Sequence, residues 1–291
     1  MSPLDTVNLA ALMGRTSGKR QLTIGLIDGP VLYEHPDLAS AHLIPYEGGV
    51  SASCRQTSSV ACLHGTFVAG VLCARRGSPA PAICPDCTLV VRPIFAEHLL
   101  REEQIPSASP HALAIAILDC LARGARLINL SAALATPSME GEFVLEEALN
   151  QAARVGALVV AAAGNQGTLG SSIITRHTGV IPVVACDLNG NPDNASNLGS
   201  SVGKRGLRAP GVSVTSLGTA GHPLVMGGTS VAVPFVTGTI ALLWSEFPHA
   251  TGTDIKLAVT QASTRRRASV VPPLLDAESA YQALRTMKFR S

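Results

Sequence analysis

Four residue types that together can run acyl transfer occur at the ends of short apolar segments: Asp28, His64, Asn165 and Ser230. Asp28 follows the run Leu22 to Ile27 and precedes Gly29-Pro30, so its carboxylate is expected at the end of a buried strand. His64 leads into Gly65-Thr66-Phe67-Val68-Ala69-Gly70, whose small residues let a helix start pack closely against a sheet. Asn165 closes Ala161-Ala162-Ala163-Gly164, a strand end of small side chains that leaves a groove beside it and an amide at the rim. Ser230 stands after Gly227-Gly228-Thr229 at the opening of an apolar helix, where backbone N–H groups point outward. A hydroxyl, an imidazole, a carboxylate and an amide are what a nucleophile, its base, the base's orienting group and an oxyanion donor require.

Each of the four also has a plain structural reading. Asp-Gly is ordinary turn chemistry, a histidine at a helix start is commonly a surface or capping residue, and asparagine is a frequent turn residue. Serine at a helix start is commonly an N-cap, although the glycine pair and Pro234 make simple capping less economical for Ser230.

The elements that must position these groups alternate along the chain. Apolar runs suited to strands buried on both faces span Leu22 to Ile27, Leu89 to Ile94, Leu127 to Leu130, Leu158 to Ala163 and Ile181 to Ala185. Helical periodicity lies between them at Thr66 to Ala74, His111 to Ala122 and Phe143 to Val155. Alternating β and α predicts an α/β fold with a mainly parallel, twisted sheet and helices on both faces, its site beyond the carboxyl ends of the strands. After Ala185 the text turns to Gly, Asn, Pro and Ser, with short apolar pieces at Val212 to Val214 and Leu224 to Met226 that predict a small hairpin. A long helix is predicted from Thr229 to Trp244, another opening at Thr253 or Asp254, and a last one near Asp276 to Leu284.

Composition bounds the function. Hydrophobic residues make up 46% of the 291 and charged ones 14%, enough for a large core in one domain, with residues 20–262 as its expected centre. The formal net charge of +2 offers no broad surface for nucleic acid, and Arg265-Arg266-Arg267 stands without interleaved aromatics. The N-terminus has neither the basic start nor the apolar length of a secretory signal, so no signal or propeptide is recognised and a cytoplasmic location is expected, or an extracellular one if such segments have been trimmed. The longest apolar stretches fall far below the roughly 20 residues that span a bilayer, so no membrane association is expected.

Seven cysteines leave at least one thiol unpaired within the chain. Cys84 and Cys87 form a single CxxC without a second zinc knuckle, and a disulfide joining the Cys54 to Cys62 loop with this turn is the expectation preferred over metal. Asp187, Asn189, Asn191 and Asp193 alternate like calcium ligands, but Gly190 is misplaced for a helix-loop-helix calcium loop, so a hairpin turn is expected and structural calcium stays open.

Taken together, Ile27-Asp28-Gly29-Pro30, His64 to Gly70, Ala162-Ala163-Gly164-Asn165 and Gly228-Thr229-Ser230-Val231-Ala232-Val233-Pro234 resemble, in order and composition, the boxes of the subtilisin-like serine peptidases. The resemblance spans Thr23 to Leu243 and implies Ser230 as nucleophile, His64 as base, Asp28 as its orienting group, and Asn165 with the Ser230 amide as oxyanion donors. It also implies a substrate clamped as an extended strand, with Leu130, Ser131, Ala132 and Ala133 as one edge, the region after Phe95 as the other, and Ala162, Ala163 and Gly164 beside the scissile bond. No cofactor is required for that chemistry.

The chain departs from the family pattern at three positions. Ala133 stands where most members have glycine, which implies a restricted first pocket; Phe67 replaces a second histidine; and Val231 replaces an oxidation-sensitive methionine. The Asp-Gly-Pro box, the cysteines around the histidine box and Arg92-Pro93-Ile94-Phe95 look like the proteases that mature cyanobactin-type ribosomal peptides. Only 41–61 and 97–110 are sizeable insertions, too short for a macrocyclase cap, so leader removal is expected over ring closure. A silent peptide-binding protein of the same fold and a macrocyclase are the alternatives. A doubly wound nucleotide binder has no support, since no GxGxxG follows Ile27.

Overall fold

Two short helices, α1 (Pro3–Thr6) and α2 (Leu9–Arg15), precede the first strand, β1 (Thr23–Asp28). The chain continues through β2 (His42–Pro45), α3 (Val60–Cys73), β3 (Thr88–Pro93), α4 (Pro110–Ala122), β4 (Leu127–Leu130), α5 (Glu142–Arg154) and β5 (Leu158–Ala162). It then forms α6 (Ile173–Arg176), β6 (Val180–Cys186), α7 (Ser200–Arg205), β7 (Leu207–Pro210) and a hairpin of β8 (Val214–Ser216) and β9 (Leu224–Met226). Helices α8 (Thr229–Glu246), α9 (Gly252–Gln261) and α10 (Ala277–Thr286) complete it. This computed structural model describes residues 2–97, 108–131, 141–261 and 269–287.

Seven strands form one sheet in the order β2-β3-β1-β4-β5-β6-β7, each pair parallel. The continuous apolar runs supply both faces because successive side chains point opposite ways. Along β5, Leu158, Val160 and Ala162 join the core shared with α2, α3, α8, α9 and α10, whereas Val159 and Ala161 join the core shared with α4 and α5. Helix α8 is buried all round from Val231 to Ser245, as an apolar helix without a polar stripe must be. No helix among the described residues is long and apolar enough to cross a membrane.

The predicted strands and helices form with small shifts, and two strands, β2 and β7, are not predicted. β2 and β7 are four residues each, carry His42 and Arg208, and end in proline, so their composition resembles loop text. The core also reaches beyond residues 20–262: Val7, Leu9 and Leu12 pack in one cluster with Leu275, Ala277, Ala280 and Leu284. The Ala277 N–H donates to Val7 O at 3.0 Å, tying the two ends together.

Helix α3 begins earlier than predicted. Ser59 caps it, its Oγ accepting from Cys62 N at 3.1 Å, so His64 lies inside the helix rather than at its start. The loop after β1 presses directly on this helix. A Cβ on Gly65 would collide with the backbone oxygens of Gly29 and Pro30, and one on Gly29 with Ala61 O. Gly65→Ala is therefore expected to cost about 1–3 kcal/mol of stability, as overpacked sites do. It should also lower turnover by parting the two segments, which urea denaturation and steady-state kinetics would measure together.

Candidate active site

Parallel pairing puts every strand's carboxyl end at one edge of the sheet, and the four singled-out residues meet there. Asp28 is the last residue of β1, fully buried, and its Oδ1 accepts from Gly29 N at 2.6 Å. His64 bridges outward from it: Nδ1 lies 2.7 Å from Asp28 Oδ1 and Nε2 lies 2.9 Å from Ser230 Oγ. A carboxylate only accepts, so Nδ1 carries the proton and Nε2 presents its lone pair to the Ser230 hydroxyl. Burial works against the charged imidazolium, but the Asp28 charge and hydrogen bond outweigh it, so the His64 pKa lies above its ordinary value.

Ser230 is the second residue of α8, so capping does not account for it. The cap position belongs to Gly228, at φ +119°, a left-handed value that favours glycine; a Cβ there would also crowd Asn165 Nδ2 at 3.0 Å. The first-turn position leaves the Ser230 N–H without an intrahelical acceptor. Pro234, four residues on, has no N–H to give to the Ser230 carbonyl. That carbonyl is taken instead by Ser131 Oγ at 3.3 Å.

Behind this contact lies a buried polar relay that the sequence reading missed. Asn129 Nδ2 donates to Ser131 Oγ at 2.7 Å, and Thr237 Oγ1 donates to Asn129 Oδ1 at 2.9 Å. The signal available in the sequence is an amide inside the apolar β4 and hydroxyls, Thr237 among them, inside the apolar α8, each demanding a partner.

Asn165 lies three residues past β5, and its side chain is held in one orientation. Its Oδ1 accepts from Thr229 N at 2.8 Å and from Thr229 Oγ1 at 2.9 Å. Its Nδ2 makes no hydrogen bond among the described residues and remains a free donor at an exposed position next to Ser230. Thr229, not singled out beforehand, thus fixes which end of the amide is presented, and its Oγ1 also accepts from Gly164 N at 3.2 Å.

Of the expected substrate edge, Ala132 and Ala133 lie outside the described residues. Leu130 and Ala162 are buried in the core, so only their backbones are available to a ligand, and Ala163 is 7% exposed. Ser131 is committed to the Ser230 carbonyl. Gly164 adopts φ +104°, which carries the chain sharply off the strand to Asn165.

The cysteine expectation is corrected. Cys54 is bonded to Cys62, while Cys84 and Cys87 are buried free thiols. The reason is the parallel topology. The loop holding Cys54 follows β2 at the carboxyl edge, whereas the CPDC turn precedes β3 at the opposite edge, with α3 running between them. The stretch 52–54 pairs with Val31, just past the Asp28 turn, which carries Cys54 to the start of α3.

The alternating residues after β6 form a turn. The Asp187 carboxylate accepts from Asn191 N at 2.8 Å, Asn191 Nδ2 at 3.1 Å and Asn189 N at 2.9 Å, bonds that hold its pKa below the ordinary value. An antiparallel bridge between Cys186 and Pro192 closes the hairpin.

A parallel α/β sheet with serine, imidazole and carboxylate in series at its carboxyl edge has the build of a serine peptidase. The subtilase family (peptidase S8) profile matches residues 19–278, and the chain belongs to that family. It is 33% identical over 202 residues to the thermostable alkaline protease of Halalkalibacterium halodurans, covering 69% of this chain but only 52% of that protein, about half its length. Subtilisin DY of Bacillus licheniformis is 29% identical over 246 residues, 83% of each chain. Among solved structures, the protease domain of PatA superposes with a TM-score of 0.84 at 27% identity, covering 94% of this chain and 98% of that one. The prenylagaramide maturation protease PagA gives 0.82 at 27%, covering 95% and 98%. The PatG macrocyclase in complex with peptide gives 0.82 at 23% over 95% of each chain, a likeness of fold alone.

Proposed function

We propose that this protein is a serine endopeptidase that cleaves peptides through a covalent acyl-enzyme, with Ser230 as nucleophile. His64 takes the Ser230 proton through Nε2 as the hydroxyl attacks the scissile carbonyl, then delivers it to the leaving amine. Asp28 fixes the imidazole tautomer and stabilises the imidazolium that forms. Asn165 Nδ2 and the Ser230 N–H donate to the oxyanion of the tetrahedral adduct. Water then attacks the acyl-enzyme by the reverse sequence, releasing the acid and the free hydroxyl. The roles are filled by side chains and backbone alone.

The observation that carries this reading is the two-sided engagement of His64, 2.7 Å to Asp28 and 2.9 Å to Ser230. A peptide-binding protein without chemistry has no need of that relay, which favours the enzyme over the silent alternative. For the substrate we propose the leader of a ribosomally made precursor peptide, bound as an extended strand. Support comes from likeness over nearly the whole chain to PatA and PagA, the second of them a maturation protease.

Reaction with a fluorophosphonate probe tests the nucleophile: folded protein should label on Ser230, and absence of labelling would favour a silent binder. The oxyanion assignment has its own test. Asn165→Ala should lower kcat by about a hundredfold to a thousandfold with KM little changed, because the donor acts on charge that develops only in the transition state. A change confined to KM would remove Asn165 from that role.

A further inference from the structure

Beside Asn165, on the side away from β4, a cleft of about 470 Å³ opens between the turn after β6 and the hairpin β8–β9. Its lining includes Asp193, Val212, Ser213, Val225 and Met226, with Gly227 and Gly228 leading straight to the nucleophile. The walls differ in chemistry. Val212, Val225 and Met226 are aliphatic, and Val225 is exposed, whereas Asp193 brings a carboxylate.

The Asp193 backbone is tied down while its charge is not. Its N–H donates to Ala185 O at 2.9 Å and its carbonyl accepts from Ser196 N at 3.0 Å, which sets the residue at the cleft. The side chain accepts, among the described residues, only a long bond, 3.4 Å, from Ala195 N. Among the described residues no lysine or arginine forms an ion pair with it. Arg208, a cation on the neighbouring strand β7, donates instead to Gly190 O at 2.5 Å.

Strand order says which end of a substrate meets this cleft. If the acyl portion lies along the edges after β3 and β4, with its carbonyl held at Ser230 and Asn165, the chain beyond the scissile bond passes over the ends of β6 and β7. Asp193 follows β6, and Gly211, which also lines the cleft, follows β7.

We propose that Asp193 is a specificity-determining residue for the leaving portion of the substrate, binding a lysine or arginine within the first two positions beyond the scissile bond. The long aliphatic stem of such a side chain fits Val212, Val225 and Met226, and its cationic head reaches the unpaired carboxylate. A glutamate in the same place would meet like charge. The inference rests on the acyl-enzyme reading above and adds the chemistry of the group released.

Internally quenched peptides identical up to the scissile bond, with Lys, Ala or Glu at each of the next two positions, test this. The wild-type protein should favour Lys over Ala at one of them by about five- to tenfold in kcat/KM and disfavour Glu. Asp193→Asn should erase the preference, and Asp193→Lys should turn it toward Glu. Because the readout is a ratio between substrates of one protein sample, partial unfolding of a variant cancels. Protein that labels with fluorophosphonate yet treats Lys, Ala and Glu alike overturns the proposal and leaves the peptidase reading intact, as does a Lys preference that survives in Asp193→Asn. Protein that neither labels nor cleaves overturns both.

Discussion

Replacing Ser230 with alanine is expected to lower kcat on the order of a millionfold while leaving the fold and peptide affinity nearly unchanged. The size follows from what the substitution removes. Without Oγ there is no nucleophile for the 2.9 Å contact from His64 Nε2, so the imidazole has no proton to take and no acyl-enzyme forms. What survives is the reaction of water assisted by the oxyanion donors, worth on the order of a thousandfold to ten-thousandfold over solution. Stability should hold because Ser230 is partly exposed and its backbone, not its hydroxyl, makes the structural bond to Ser131. Single-turnover assays against a cleavable peptide, with a binding titration of the same peptide, separate the two effects. A variant that binds normally but retains a tenth of the turnover would place the nucleophile elsewhere.

The same substitution shows why these particular positions stand out in the sequence. Ser230 is legible because its neighbours break local rules together: two glycines where a cap would suffice, and a proline inside a helix. The structure gives two of the three a task, since Gly228 takes a positive φ and Pro234 frees the carbonyl that Ser131 binds. The major strands and the helices around them were legible for a different reason, the long apolar runs that a sheet buried on both faces demands. What stayed hidden depended on partners distant in the chain. Asn129 and Thr237 are 108 residues apart and look like stray polar residues until α8 lies under β4. The cysteine pairing is not legible in the sequence because proximity in a parallel sheet depends on whether a segment follows or precedes its strand. Cys54 follows β2 and Cys84 precedes β3, which puts them at opposite edges despite their nearness in sequence.

Asp28→Asn is the second large effect, expected to lower kcat by about ten-thousandfold and to change the pH profile in a defined direction. In the wild-type protein burial favours neutral His64, but the Asp28 charge and hydrogen bond raise its pKa above the ordinary 6.5. Catalysis needs the neutral base, so the acid limb of kcat/KM should lie above that value. Removing the charge leaves burial unopposed, and the limb should move below the ordinary value. The thermodynamic counterpart has a fixed sign. A histidine whose pKa is raised on folding contributes stability that is complete below its unfolded pKa and is lost as pH rises through the folded one. The stability deficit of Asp28→Asn attributable to this pair should therefore be larger at about pH 5 than at about pH 9. Urea midpoints at both values, measured beside the pH-rate profile, distinguish this from a general packing defect. A packing defect would lower stability equally across the range and leave the acid limb where it was.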